Sequence, residues 1–383
     1  MTKKITFPWL SLLILFTHSI AFAMSSPGDE FSQKLFSSLL DSREANNIIF
    51  SPYIIRQALG IAASGARGLT QKQLGRFQET VKVNPPQKLM VANRLWVQIG
   101  YPLHEQYMNT SEKNFGIRPW MVDFTKAPDF LKDRVNGWVE EMTAGKIKSI
   151  ITEDSVDETM KMMLTSALYF KGDWATPFDR ERTEKDEFVS ASGKSASVPF
   201  LQTTGAFKVS SSTEARVLEL PYVGGELVML IILPSSKHGL ESTVKALRYE
   251  ALDRWMGSFS PEILSVSLPA FNYEATYDLT QTLQSNGIEA PFSKEEADFS
   301  GMNGKKDLYL GRAFHKSYVS VSAAGTEGGA GSSIRMKEAA REPASATATF
   351  KVNRPFIFAV LPRNSRNLGN ALLLGAVRNL EAK

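Results

Sequence analysis

Apolar residues first recur at helical spacing after Ser26-Pro27, where Phe31, Leu35, Leu39 and Leu40 line one face of a predicted helix. A second apolar helix is predicted after Ser51-Pro52, and a further one through Leu131, Val135, Trp138, Val139 and Met142. Strand-like runs then dominate, at 89–97, 160–170, 216–220, 227–233, 263–271, 308–321, 355–361 and 371–377. Helical patterns return near 249–256 and 276–285. The mixture lacks regular strand–helix alternation, which predicts an α+β class with largely antiparallel sheets. No Pro/Gly/Ser-rich linker divides the pattern and no repeat is seen, so one large domain is expected over 24–383.

One segment fits neither period. Residues 320–349 contain no aromatic side chain and are rich in Ala, Gly, Ser and Thr, and a connection of that length in a compact domain is either functional or without fixed structure. Its positions alternate. Thr326, Gly328, Ala330, Ser332, Ile334 and Met336 are uncharged and mostly small, whereas Glu327, Gly329, Gly331, Ser333, Arg335 and Lys337 hold every charge of the stretch. Period-two sorting suits a strand with one buried face. Glycine and serine, however, are poor strand formers. The segment is compatible with a sheet yet reluctant to join one; a solvated linker whose few charges fall in phase by chance is the competing reading. The phase ends at Glu338, whose carboxylate would point inward. Ala339, Ala340, Arg341 and Glu342 would then form an exposed tip before Pro343. Residues 326–337 would span roughly 40 Å as a strand.

Charge and composition narrow the function. Residues 1–23 read as an export signal, with Lys3 and Lys4 ahead of apolar 10–16 and a cleavage site at Ala21-Phe22-Ala23. Pro8, Thr17, His18 and Ser19 interrupt the run too often for a membrane span. Without it the formal charge falls from +4 to +2, which gives no case for a nucleic-acid partner. The absence of cysteine excludes disulfides, thiolate catalysis and a lipid-modified N-terminus. Together with the short signal, it suggests a bacterial source and a periplasmic or secreted protein. The mature histidines His104, His238 and His315 lie far apart without HExxH spacing, and His315 reads as structural. GxSxG elbows and Walker loops are missing as well. No enzyme, metal or cofactor is expected. Lys132 and Arg134 beside Asp133 read as a solvated helix face, without a polyanion site.

Several stretches resemble the serpin family, in order along nearly the whole mature chain. Asn47-Ile-Ile-Phe-Ser-Pro52 resembles the start of the family's second helix. Leu168-Tyr-Phe-Lys-Gly-Asp-Trp174 with Pro177-Phe178 resembles its strand-end signature. Tyr277-Asp-Leu279, Gly287-Ile288 and Ala297-Asp-Phe-Ser-Gly-Met302 match a further block; Gly325-Thr326-Glu327 resembles the reactive-loop hinge and Asn353-Arg-Pro-Phe356 the strand after it. The resemblance implies three β-sheets, eight or nine helices and an exposed reactive-centre loop at about 323–349, held under stored strain. It implies a monomer whose loop is cut by a target serine protease. The covalent acyl-enzyme is then trapped as the loop inserts into the central sheet, an established example of strand addition.

The resemblance places the hinge at Gly325, Thr326, Glu327, Gly328, Gly329 and Ala330, and a sheet-opening region around Ser51, Ser166 and His315. Counting fourteen residues past Gly325 gives a reactive bond at Ala339–Ala340, suited to an elastase-like or subtilisin-like enzyme. Arg341–Glu342 is the alternative, for a trypsin-like enzyme with an acidic pocket. Lys337 and Arg335 are weaker candidates, because cutting there shortens the strand. The chain departs from the family in its hinge glycines, which leave open a non-inhibitory binding or carrier role. Ala323 and Ala270 stand where many members place an ion pair. Ile54, Ser166 and His315 match the family's mid-sheet serine, asparagine and histidine, and only the histidine is unchanged.

Overall fold

The proline at position 27 does open a helix, for its fixed φ and missing N–H are harmless in a first turn. The structure, a computed structural model, describes residues 27–42, 47–78, 88–247, 249–326 and 348–381. Its α-helices are α1 (Pro27–Ser42), α2 (Pro52–Ala63), α3 (Gly68–Leu74), α4 (Glu105–Phe115), α5 (Pro128–Met142), α6 (Leu240–Ala246), α7 (Tyr249–Gly257), α8 (Thr280–Ser285) and α9 (Ser300–Asn303). The strands begin with β1 (Ile48–Phe50), β2 (Lys88–Gln98), β3 (Trp120–Val122), β4 (Met162–Asp173), β5 (Asp179–Val189) and β6 (Ser195–Ser211). They continue with β7 (Ala215–Pro221), β8 (Leu227–Pro234), β9 (Ser260–Pro269), β10 (Phe271–Asp278) and β11 (Leu310–Val321). Last come β12 (Gly325–Thr326), β13 (Ala348–Lys351), β14 (Phe356–Pro362) and β15 (Leu373–Val377).

Six strands form the central sheet, in the order β10-β11-β12-β4-β2-β3. Its middle is unusual. Strands β4 and β11 pair directly and in parallel, from Leu310 opposite Met162 to Tyr318 opposite Tyr169. Where they part, the two-residue β12 fills the fork, antiparallel to both, with Thr326 opposite Val321 on one side and Gly172 on the other.

The resemblance implies three sheets; the hydrogen-bonded ladders join two of them into one nine-stranded sheet. Strand β6 is the joint. Its 17 residues hold β9 along one edge and, in tandem on the other, β5 opposite 195–202 and β7 opposite 208–211.

The central sheet is covered on both faces, which explains why 160–170 reads as an unbroken apolar run. Met162, Leu164, Leu168 and Phe170 face the main core with α1 and α2. Met163, Ala167 and Tyr169 face a smaller core beneath α5, whose Leu131, Val135 and Val139 close it. Met142, grouped with that stripe by spacing, is instead exposed. The helical pattern over 276–285 is corrected as well: β10 runs to Asp278, and α8 begins only at Thr280. Strand β5 is not predicted at all, because Phe188 is its one buried residue and backbone pairing to β6 holds the rest.

The small core gives a direct test. Leu131→Ala is expected to lower stability by about 2–5 kcal/mol, read as a fall in the urea midpoint at unchanged m-value. Phe130→Ala, one residue away on the exposed side of α5, is expected to change it by less than about 0.5 kcal/mol.

Candidate functional site

The fork is held by the segment that follows β4. The Trp174 and Phe178 peptide N–H groups donate to the carbonyls of Ala324 and Ala323, at 3.1 and 3.0 Å. The Trp174 indole N–H donates to the Ser322 carbonyl at 3.0 Å. With these bonds the turn between β11 and β12 is fixed from outside. Gly325 then passes so close to β4 that a Cβ there would lie 2.2 Å from the Gly172 carbonyl oxygen. Only glycine fits, a steric reason for the hinge glycine.

Thr326 is fully buried, and its hydroxyl lies 2.6 Å from that of Tyr222. The Tyr222 ring stacks on Trp174 at 4.7 Å and meets the edge of Phe170 at 5.2 Å. Burial pushes the Tyr222 hydroxyl's pKa up, and the bond to Thr326 opposes the shift only in part, so the phenol stays protonated and able to donate. Tyr222 and Phe170 both belong to the main core. The side chain of Thr326 therefore points to that core, which sets the inward phase at the start of the alternating segment.

Further down the seam, the β4–β11 register sets His315 opposite Ser166. The Ser51 peptide N–H donates to His315 Nε2 at 3.0 Å, so this nitrogen accepts and Nδ1 carries the proton. Nδ1 donates to Ser166 Oγ at 2.9 Å, and that hydroxyl donates to the Phe314 carbonyl at 3.2 Å. Ser317 Oγ is 2.8 Å from Nε2. Ser51 also caps α2, its Oγ accepting from the Ile54 N–H. One imidazole thus ties the start of α2 to both seam strands. Burial lowers its pKa to about 3, so the ring is neutral.

Of the residues expected here, Ser51, Ser166 and His315 are brought together, and Gly325 and Thr326 lie in the fork of the same seam. Ile54 contributes its carbonyl, which accepts from Asn93 Nδ2 at 3.3 Å. Asn93 was not expected, nor were Ser317 and Tyr222. A polar residue inside the apolar run 89–97, and a serine two positions from His315 on the same face, are the available signals for the first two. Ala323 and Ala270 pack on the main core, so no orphan charge marks the absent ion pair. Glu327, Gly328, Gly329, Ala330, Ala339, Ala340, Arg341 and Glu342 lie outside the described residues. Among the described residues no three His, Asp or Glu side chains gather as a metal site.

A family model described as Serpin (serine protease inhibitor) matches residues 27–380. Curated relatives include human Serpin B10, 32% identical over 375 residues that cover 87% of this chain and 94% of that protein. Human Serpin B11 is 32% identical over 378 residues, 88% and 95% of the two chains. Among solved structures, native protease nexin-1 with heparin aligns with a TM-score of 0.81 at 28% identity, covering 92% of this chain and 98% of that one. Uncleaved ovalbumin gives 0.82 at 26%, covering 93% and 99%. These comparisons show the α+β fold expected from the resemblance. They also correct the expectation of no enzyme, which rested on missing signatures: the family match replaces that negative statement with a positive one, a family of proteins that inhibit enzymes.

The neutral histidine predicts a pH dependence. The folded state keeps His315 unprotonated down to about pH 3, while the unfolded chain takes up a proton near its ordinary value of 6.5. Stability is expected to fall as pH drops from 6.5 towards 3, by up to about 1.4 kcal/mol per unit from this group, and to be indifferent to it above 6.5. Urea midpoints between pH 4 and 7 measure the slope. His315→Gln is expected to flatten it, whatever its effect on overall stability.

Proposed function

The chain belongs to the serpin family, and on that premise we propose that it is a one-shot inhibitor of serine endopeptidases whose own cut loop becomes a strand of the central sheet. The observation that carries this reading is β12, a strand already started between β4 and β11. Continued on the same register after cleavage, residues 327–337 would pair with Lys171 back to Lys161 on one side and Ser320 back to Leu310 on the other. Lys337 thus falls level with Leu310, the first residue of β11, and with Lys161, one residue ahead of β4, the point at which the alternation in the sequence also ends. Thr326 facing the main core supports the even positions as the buried set.

In that register Ser332 comes level with both His315 and Ser166. Insertion must break the hydrogen bond between them, and Ser332 offers a hydroxyl in exchange. The energetics support completion. Separating the seam loses one parallel ladder and gains two antiparallel ones, a net gain of about ten backbone hydrogen bonds at roughly 1 kcal/mol each. That is comparable to the stability of an ordinary domain. The uncut loop would stay out for kinetic reasons.

The reactive bond is assigned to Ala339–Ala340 and the target to elastase-like or subtilisin-like enzymes, with Arg341–Glu342 and a trypsin-like target as the alternative. The inhibitor would act as a monomer, exported after removal of 1–23, and end in a covalent complex with its protease. A second reading, a non-inhibitory carrier, is favoured by Gly328, Gly329 and Gly331, because each glycine costs up to about 1 kcal/mol to order.

Incubation with elastase, subtilisin and trypsin is expected to yield an SDS-stable conjugate of higher mass with at least one of them. Mass mapping of the released peptide then identifies the bond. A clipped product alone from all three, melting no higher than the intact chain, removes the inhibitor reading and leaves the carrier. Ser332→Arg is expected to be cut at the same bond without conjugate, because the guanidinium would have to enter the seam beside His315.

A further inference from the structure

Away from the fork, a cavity of about 580 Å³ opens along β2 where β3 ceases to cover its edge, since β3 pairs only with Trp96, Val97 and Gln98. Strand alternation divides its lining. Leu89, Val91 and Asn93 face one side of the strand, where Phe115 at the end of α4 completes an apolar wall. Arg94 faces the other, between two indoles. Its guanidinium carbon lies 4.4 Å from the Trp120 ring centre and 4.3 Å from that of Trp138.

None of the lining residues is a carboxylate, and two are arginines. Arg118 is already neutralised, by Glu105 at 2.9 Å and Glu112 at 3.0 Å. Arg94 has no ion-pair partner among the described residues, and its Nε is buried without a hydrogen bond. Burial lowers its pKa with no carboxylate acting in the opposite sense. Indole faces stabilise a cation but leave its N–H groups unbonded. Asn93 Oδ1 is likewise buried without a partner. The volume is that of a small-molecule site, with an apolar wall at Leu89, Val91 and Phe115 and one unpaired cation at Arg94.

We propose that this cavity binds a small monoanionic amphiphile, a carboxylate or sulfonate on an apolar body, with the anion on Arg94 and the body along Leu89, Val91 and Phe115. A carboxylate would take the free N–H groups in the fork geometry that guanidinium favours. A medium-length aliphatic or aromatic body suits a cavity that crosses the strand edge. A neutral ligand of equal size would leave the guanidinium unpaired.

Calorimetric titration of the full-length protein with decanoate and with 1-decanol, at low and at physiological ionic strength, tests this. Decanoate is expected to saturate a single site and to bind at least tenfold more tightly than 1-decanol, with that advantage shrinking as salt rises. Arg94→Gln is expected to weaken decanoate at least tenfold and to leave 1-decanol unchanged; Val91→Trp, which fills the apolar wall, is expected to abolish both. Absence of saturable decanoate binding overturns the proposal. So does equal affinity for the two ligands in the unaltered protein, a comparison that stands even if a variant does not fold.

Discussion

Everything that distinguishes this fold turns on the parallel contact between β4 and β11. Parallel neighbours are joined by slanted hydrogen bonds that are slightly weaker per residue than antiparallel ones. Here they form the middle of the sheet and not its edge. At one end the pair is already prised apart by β12, a strand of opposite direction. The result is a parallel seam in the middle of a buried sheet, with a strand of antiparallel geometry lodged in its mouth, and this is the contact that the proposed insertion would replace. The surrounding residues hold that mouth in shape: Trp174 grips the turn, Gly325 permits the approach, and Thr326 is seated on Tyr222.

Beneath the mouth the seam is fastened chemically. His315 is neutral and fully used, accepting from Ser51 on one nitrogen and donating to Ser166 from the other. Replacement of Ser166 by an apolar side chain would leave the Nδ1 proton buried without an acceptor, which is costly in a low-dielectric interior, whereas the bond from Ser51 is made by its peptide N–H and survives a change of side chain. The same ring reaches α2 through the Ser51 N–H, so the seam cannot part without the helix start feeling it. Asn93 extends the polar patch towards the edge of the sheet and stands at the border of the Arg94 cavity.

How much of this was legible in the chain depends on where each signal lives. Helix starts at Pro27 and Pro52 were legible, because a fixed φ and a capping serine act locally. So were the buried strands, whose apolar runs are dense, and the inward phase of Thr326, because period two is a property of the strand alone. Strand β5 was not, since Asp179–Val189 is almost wholly exposed and owes its form to a partner strand. Nor was the end of β10, which runs to Asp278 directly ahead of α8 at Thr280, so that strand and helix follow one another within the stretch that reads as one helix. Asn93 and Tyr222 lie far from Ile54 and Thr326 in sequence, and only the tertiary fold brings them together, whereas Ser317 stands two residues from His315 on the same strand face. The Arg94 cavity is wholly tertiary: its walls come from four separate segments.

The lower end of the seam sets a limit of another kind. Between Leu310 and Arg312 the pairing to β4 slips by a residue, at Gly311, where a Cβ would press on Met160 at 2.8 Å. On the register set by β12, residue 336 would come level with Gly311, so an entering strand would reach the irregularity with its last residues. The stroke of any strand entering from the fork is therefore fixed by β11 and β4 themselves, and extra residues at the tip would add slack without adding travel.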